Sequence, residues 1–350
     1  QMAGHGDVDA KNLAAGRVKV NLGEESFFGL IATHGDPLSN GSNSVFGADL
    51  SLRTSHFLGN QVVEARGGLQ HSTTSEIGDD QAFGLRLGYP NDRWNGDLTL
   101  RQIGDDFEPA LGFVNRTGFR SLAGRLRRRW RPTASRLRIV DTQLAGGVVL
   151  DLGNDLESLN LDPLWLRLEN HAGDFVSLSS QWRTEVLDEP FEIASGVFIE
   201  KDRYDFGRTT LSVGTAASRR FSVQFDFGAG SFFSGHIRSG RALLQWRASK
   251  HLFASVEYLQ NSVRLQEGNF TTRLGRVRLN VVFTPDLSWE TFLQFDNIDD
   301  NVGWNSRLRW ILRPGRELIL VWNEAFDTQG GNFRGTRSNA VAKLRWTFRF

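Results

Sequence analysis

The chain has 350 residues with 41 Lys and Arg against 40 Asp and Glu, so no bulk charge points to nucleic acid. It contains no Cys, which excludes a disulfide framework and any thiolate metal site. No apolar run approaches the roughly 20 residues of a membrane-spanning helix, which excludes helical membrane proteins. It leaves open a membrane β-barrel, whose strands hide their hydrophobicity in alternation.

In chain order, the opening Gln1-Met2 shows no basic, apolar signal region, so targeting is not legible there. The stretch GHGDVDAK makes a poor strand, and residues 1–13 read as an N-terminal segment: either a remnant of an upstream region or part of a first strand. From Ala14 a period of two takes over. GRVKVNL sets Val18, Val20 and Leu22 against Arg17, Lys19 and Asn21. FGADLSLR sets Phe46, Ala48, Leu50 and Leu52 against Asp49, Ser51 and Arg53. FGLRLGY, WNGDLTLR, FSVQFDF, GRVRLNVVF and WNSRLRWIL repeat the pattern. The chain ends on AKLRWTFRF, in which Leu344, Trp346, Phe348 and Phe350 alternate with Lys343, Arg345, Thr347 and Arg349. Strand side chains point alternately to two faces, so each run has one greasy and one polar face. No segment sustains a helical period, and the chain is all-β.

Connections alternate in kind. Tight turns such as FLGN, PNDR, RPTAS and RPGR alternate with longer polar loops at 34–44, 73–80, 104–117, 188–204 and 327–335. Short turns at one end and long loops at the other describe a transmembrane up-and-down antiparallel β-barrel spanning residues 14–350. About 19 strand-like runs can be counted, giving an expected barrel of about 18 to 20 strands. A soluble propeller or sandwich would bury the polar faces in a dry core, at prohibitive cost for so many guanidinium groups. A wet lumen accommodates them.

The terminal strand, ending on Phe350, resembles the recognition signal of outer-membrane proteins delivered to the barrel-assembly machinery. Leu344, Trp346, Phe348 and Phe350 would carry that signal. Four interior stretches resemble one family. They are GRVKVNLGEESFFGLIAT, Asn43 with the FGAD at 46–49, FEPALGFVNRTGFR, and WNSRLRWILRPGRELILVWN. The family is the C-terminal outer-membrane β-barrel domain of unknown function found after a family-nine-type carbohydrate-binding domain in bacterial proteins. The resemblance implies the bacterial outer membrane, contact with its lipid and lipopolysaccharide, and glycan-related work. An upstream domain or another envelope protein would be the partner. The sugar-binding domain has no counterpart in these residues, so no carbohydrate-binding residue is carried over. The family brings neither catalytic residues nor a cofactor.

Two constellations are candidate functional sites. Arg17, Arg53, Arg66, Arg86, Arg101, Arg125, Arg127, Arg129, Arg276, Arg278, Arg307 and Arg309 all fall on polar strand positions. Rings of Arg in a pore favour anionic or polyhydroxylated solutes. The plainer expectation is a stabilising network in which such residues pair with Asp49, Glu64, Asp97, Glu169, Glu185 and Asp226. The second is the loop carrying Phe107, Phe113, Arg116, Phe119 and Arg120. It either folds inward to constrict the lumen or continues its strands above the membrane.

Trp94, Trp130, Trp182, Trp246, Trp289, Trp310, Trp322, Trp346 and Tyr89 read as interfacial girdles. His34 with Asp36, His71 near Asp79 and Asp80, and His236 fall near the loop rim, but no spacing there is diagnostic of catalysis. DNIDDN at 296–301 lacks the Gly and distal Glu of a calcium loop. No metal or cofactor is expected, and an enzyme is the least favoured reading. The expected function is a porin- or transporter-like channel for small polar or anionic, including glycan-derived, solutes. The alternatives are a plugged barrel that anchors a partner protein or surface glycan, and a hydrolase at the outer rim.

Overall fold

The alternation is realised as one 19-stranded antiparallel sheet in the computed structural model, which describes residues 9–347 apart from 76, 134 and 332. From the first edge the strands are β1 (Ala14–Leu22), β2 (Ser26–His34), β3 (Asn43–Phe57), β4 (Gln61–Thr74), β5 (Gly78–Pro90) and β6 (Trp94–Ile103). Then come β7 (Phe119–Trp130), β8 (Leu137–Asp151), β9 (Leu156–Asn170) and β10 (Phe175–Val186). A separate small hairpin of β11 (Phe191–Ala194) and β12 (Val197–Ile199) stands outside the sheet. The sheet resumes with β13 (Arg203–Gly214), β14 (Phe221–Phe232), β15 (Gly235–Arg247), β16 (Leu252–Arg264) and β17 (Asn269–Thr284). It ends with β18 (Leu287–Asp296), β19 (Asn301–Arg313), β20 (Arg316–Asp327) and β21 (Arg334–Trp346).

Each strand pairs with its neighbours in sequence, β10 passing directly to β13, which is the strand order of an up-and-down barrel. β1 and β21 are the two edges, and every residue of both is exposed. With 19 strands the two edges run in the same direction. Residues 9–11 do not extend a strand beside β1. They lie over the β2–β3 loop, where the Asp9 amide donates to Asn40 Oδ1 (2.9 Å) and Lys11 Nζ to the Gly41 carbonyl (2.8 Å). Phe348 and Phe350 lie outside the described residues, whereas Leu344 and Trp346 close β21 on its exposed apolar face.

Register assigns each residue to one of the two faces. One row of direct partners runs Leu85, Leu100, Leu122, Val148, Leu159, all on the outside. The row on the other face runs Glu64, Gly88, Asp97, Arg125. A continuous belt of exposed Leu, Val and Phe is untenable in water and matches the lipid-facing band of a transmembrane barrel. Near the turn end Trp94, Trp130, Trp246 and Trp310 lie on this outer face, Phe221 stacking on Trp246 at 5.9 Å. Arg128, which shares their face, lies 5.2 Å over Trp94.

Leu122→Arg therefore places a charge in lipid and is expected to destabilise the barrel by about 2–4 kcal/mol. Ser121→Arg, one residue away on the wet face, should be tolerated. Denaturant unfolding of both variants in lipid checks this, and equal losses would mean the faces are assigned wrongly.

Candidate functional site: the lumen

All twelve Arg residues singled out in the sequence lie on the inward face, and nine of them hold a carboxylate. Arg17 on β1 reaches Asp49 on β3 (2.8 Å) by crossing β2 over Gly29. A Cβ on Gly29 would sit 2.6 Å from Asp49 Oδ1, so a side chain there would push the carboxylate aside. Arg53 pairs with Glu25 (2.7 Å) and Arg66 with Glu64 (3.2 Å), while Asp97 takes Arg125 (2.7 Å) and, at 4.0 Å, Arg86. Asp141 takes both Arg127 and Arg129, and Arg129 continues to Asp92 in the β5–β6 turn (3.3 Å). Glu257 bridges Arg241 (2.6 Å) and Arg276 (3.4 Å), and Arg241 also holds Asp226 (2.9 Å). Glu317 takes Arg309 (2.7 Å) and Arg345 (3.4 Å).

Among the described residues Arg101 and Arg307 hold no ion pair, and Arg278 lies 5.5 Å over Phe292 instead. The partners anticipated from sequence hold for Asp49, Glu64 and Asp97. Glu169 and Asp226 also pair, but with Arg138, Arg167 and Arg241, which sequence reasoning did not single out. Glu185 has no ion pair among the described residues. Trp165 also faces inward, with the Arg127 guanidinium 6.0 Å from its ring, because a register irregularity between Gln143 and Ala145 interrupts that strand pair.

At the turn end, Asp174 accepts from Arg219 (2.6 Å), from the Ala216 amide (2.9 Å) and from Asn170 (3.0 Å). These hydrogen bonds, the Arg219 guanidinium foremost, hold its carboxyl far below the ordinary value of 3.8. A depressed folded pKa gives stabilisation that is complete above the unfolded value and is lost as pH falls through the folded one. Asp174→Asn should therefore lower the melting temperature at neutral pH, with the difference closing in strong acid. An offset that persists unchanged into strong acid would contradict this.

The 104–118 loop folds inward. Asn43 and Ser72, at the loop end of β3 and β4, share the inward face with Asp49 and Arg66. Asn43 Nδ2 donates to the Glu108 carbonyl (2.7 Å) and its Oδ1 accepts from the Ala110 amide (3.1 Å). Ser72 Oγ accepts from the Glu108 amide (3.1 Å), and Phe107 is buried. Phe113 departs from the expected constriction: it is 85% exposed at the loop tip. Arg116 pairs with Glu157 and lies 5.4 Å over Phe119. Arg120 lies on the outward face, beside Gln102 (2.8 Å).

The β11–β12 hairpin folds inward as well, about half the sheet away. Val197 and Ile199 pack on Ile237, Val263 and Leu265, the first two of these on the inner face of β15 and β16. Sequence reasoning read this whole stretch as a loop.

At the rim, His34 Nδ1 lies 2.8 Å from Ser44 Oγ, and Asp36 is engaged instead by the Leu38 amide (2.8 Å) and Ser39. His71 stands 3.8 Å from Asp79 with both exposed. Among the described residues no three His, Cys, Asp or Glu side chains are placed to hold a metal.

No family model and no curated protein matches the chain. Among solved structures it is similar to one named "Copper transporter OprC", with a TM-score of 0.51 and 12% identity over 95% of this chain and 70% of that one. At that identity the likeness is one of fold, and it agrees with a transmembrane up-and-down β-barrel.

Proposed function

We propose that this chain is a bacterial outer-membrane barrel that passes small polar or anionic solutes through its lumen. The observation that carries the reading is the inner wall. Arg residues line it from edge to edge, and Arg101, Arg278 and Arg307 make no salt bridge with a carboxylate among the described residues. Such groups raise the local concentration of anions in a confined wet passage. In this reading the tight turns face the periplasm and the long loops the outside, with lipid and lipopolysaccharide around the apolar belt. Insertion would go through the barrel-assembly machinery. The resemblance to the barrel domain that follows a carbohydrate-binding domain adds glycan-derived acids to the solutes to be tried. Copper, named in the structural neighbour, is not favoured: the chain has one Met and no Cys, so soft ligands are scarce.

A second reading rests on the two inward-folded loops, which stand at opposite sectors of the mouth. They favour a barrel narrowed or closed by its own loops that anchors an envelope partner. Liposome swelling separates the two. A channel admits chloride and small sugar acids faster than cations of equal size, whereas swelling no faster than in protein-free liposomes supports the anchor.

A further inference from the structure

A cavity of about 430 Å³ lies at the loop end of the inner wall, between β10, β13, β14 and β15 and beneath Phe191 of the β11 hairpin. Its walls are of two chemistries. One is aromatic: Phe206 and Phe233 stand 5.1 Å apart and Phe191 lies 5.7 Å from Phe233, ring to ring. Phe233 holds φ at 44° in the tight β14–β15 turn, a conformation that normally falls to glycine. A bulky residue held there is retained by its surroundings, and here four rings surround it.

The other chemistry is charged. Arg183, Glu185 and Arg208 line the cavity, and none of them makes a salt bridge within 4.0 Å among the described residues, although Arg183 is near enough to attract the Glu185 carboxylate. This sets them apart from most of the inner-wall arginines. Arg208 lies across β14 to donate to Ser239 on β15, and its Nε is buried with no acceptor. Gly228 makes room for it: a Cβ there would sit 2.8 Å from both Nε and Nη2. Two guanidinium groups against one carboxylate leave the cavity one positive charge.

We propose that this cavity binds a monocarboxylate carrying a ring, with the carboxylate on the open edge of Arg208 and the ring against Phe206 and Phe233. Guanidinium recognises carboxylate through paired charge-assisted bonds, and the phenyl walls favour an apolar ring over a hydroxylated one. The proposal deepens the channel reading and rests on it in taking the mouth of the barrel as the entry. Binding to the micelle-solubilised barrel does not require conduction, so the two can fail separately.

The test is isothermal titration of the full chain, folded in detergent and checked by heat-modifiable migration, with phenylacetate, its neutral isostere phenylacetamide, and glucuronate. Phenylacetate should bind saturably at one site. Phenylacetamide and glucuronate should bind roughly tenfold more weakly or worse, the cost of losing a charge-assisted pair or of burying hydroxyls on phenyl rings. Arg208→Gln should abolish the preference for the acid over the amide. Gly228→Ala, which displaces the guanidinium without removing it, should do the same. Absence of saturable binding, equal affinity for acid and amide, or tighter binding of glucuronate would overturn the proposal. The ligand comparison on the unmodified chain decides it even if a variant does not fold.

Discussion

Asn43→Leu is expected to raise single-channel conductance and to introduce slow fluctuations between a wide and a narrow state. Asn43 is 1% exposed, and its amide joins Thr74 Oγ1 (2.7 Å), the Glu108 carbonyl and the Ala110 amide. It is thus the pin that fixes the 104–118 loop to the inner wall. Leucine fills the space, but leaves a half-buried carbonyl and a half-buried amide of the loop without their side-chain partner while it stays docked. Each such half-buried group costs about 1 kcal/mol, the low end of the range for an unpaired polar group. At 1.4 kcal/mol per factor of ten, the docked population falls roughly tenfold to a hundredfold. The Ser72 bond to the Glu108 amide and the buried Phe107 remain, so the loop should sample its docked state and not abandon it. Conductance identical to wild type would mean that the loop does not limit the path.

Asp141→Asn should produce the largest loss of stability of any single charge removal in the lumen. Asp141 is 3% exposed and accepts from Arg127, from Arg129 Nε (2.9 Å) and from Arg129 Nη2 (3.1 Å). Neutralising it leaves two guanidinium groups facing each other across an amide that cannot replace the charge. Breaking a buried ion pair costs about 3–5 kcal/mol, and partial exposure of both arginines to lumen water reduces this to about 2–3 kcal/mol. Arg17→Gln removes a pair of similar length whose side chains are much more exposed, so its effect should stay below about 1 kcal/mol. Urea unfolding followed by tryptophan fluorescence compares the two. Equal, small losses would show that lumen water solvates both sites alike.

The barrel was legible because its lipid and lumen boundaries impose a period of two on most strands, as in β1 and β21. Inward placement of the arginines followed from the same parity. Their partners did not, since pairing is set by register between strands distant in sequence. Arg17 meets Asp49 across β2, where Gly29 leaves room for the carboxylate. The expected 73–80 loop gives way to strand at both ends because β4 and β5 keep pairing to Thr74 and Gly78. Two details of the mouth lay out of reach. The β11–β12 hairpin is three or four residues per strand, too short for alternation to declare itself. Arg208 looked like one more arginine until the fold set it over Gly228 beside four phenylalanines.

The most direct test of the account is the conductance of the purified chain in planar bilayers under a salt gradient. Discrete steps with a reversal potential on the anion side would establish an open lumen whose unbridged arginines select. A silent bilayer, or cation-leaning steps, from protein shown to be folded would contradict it and leave a barrel shut by its own loops or selected by other groups.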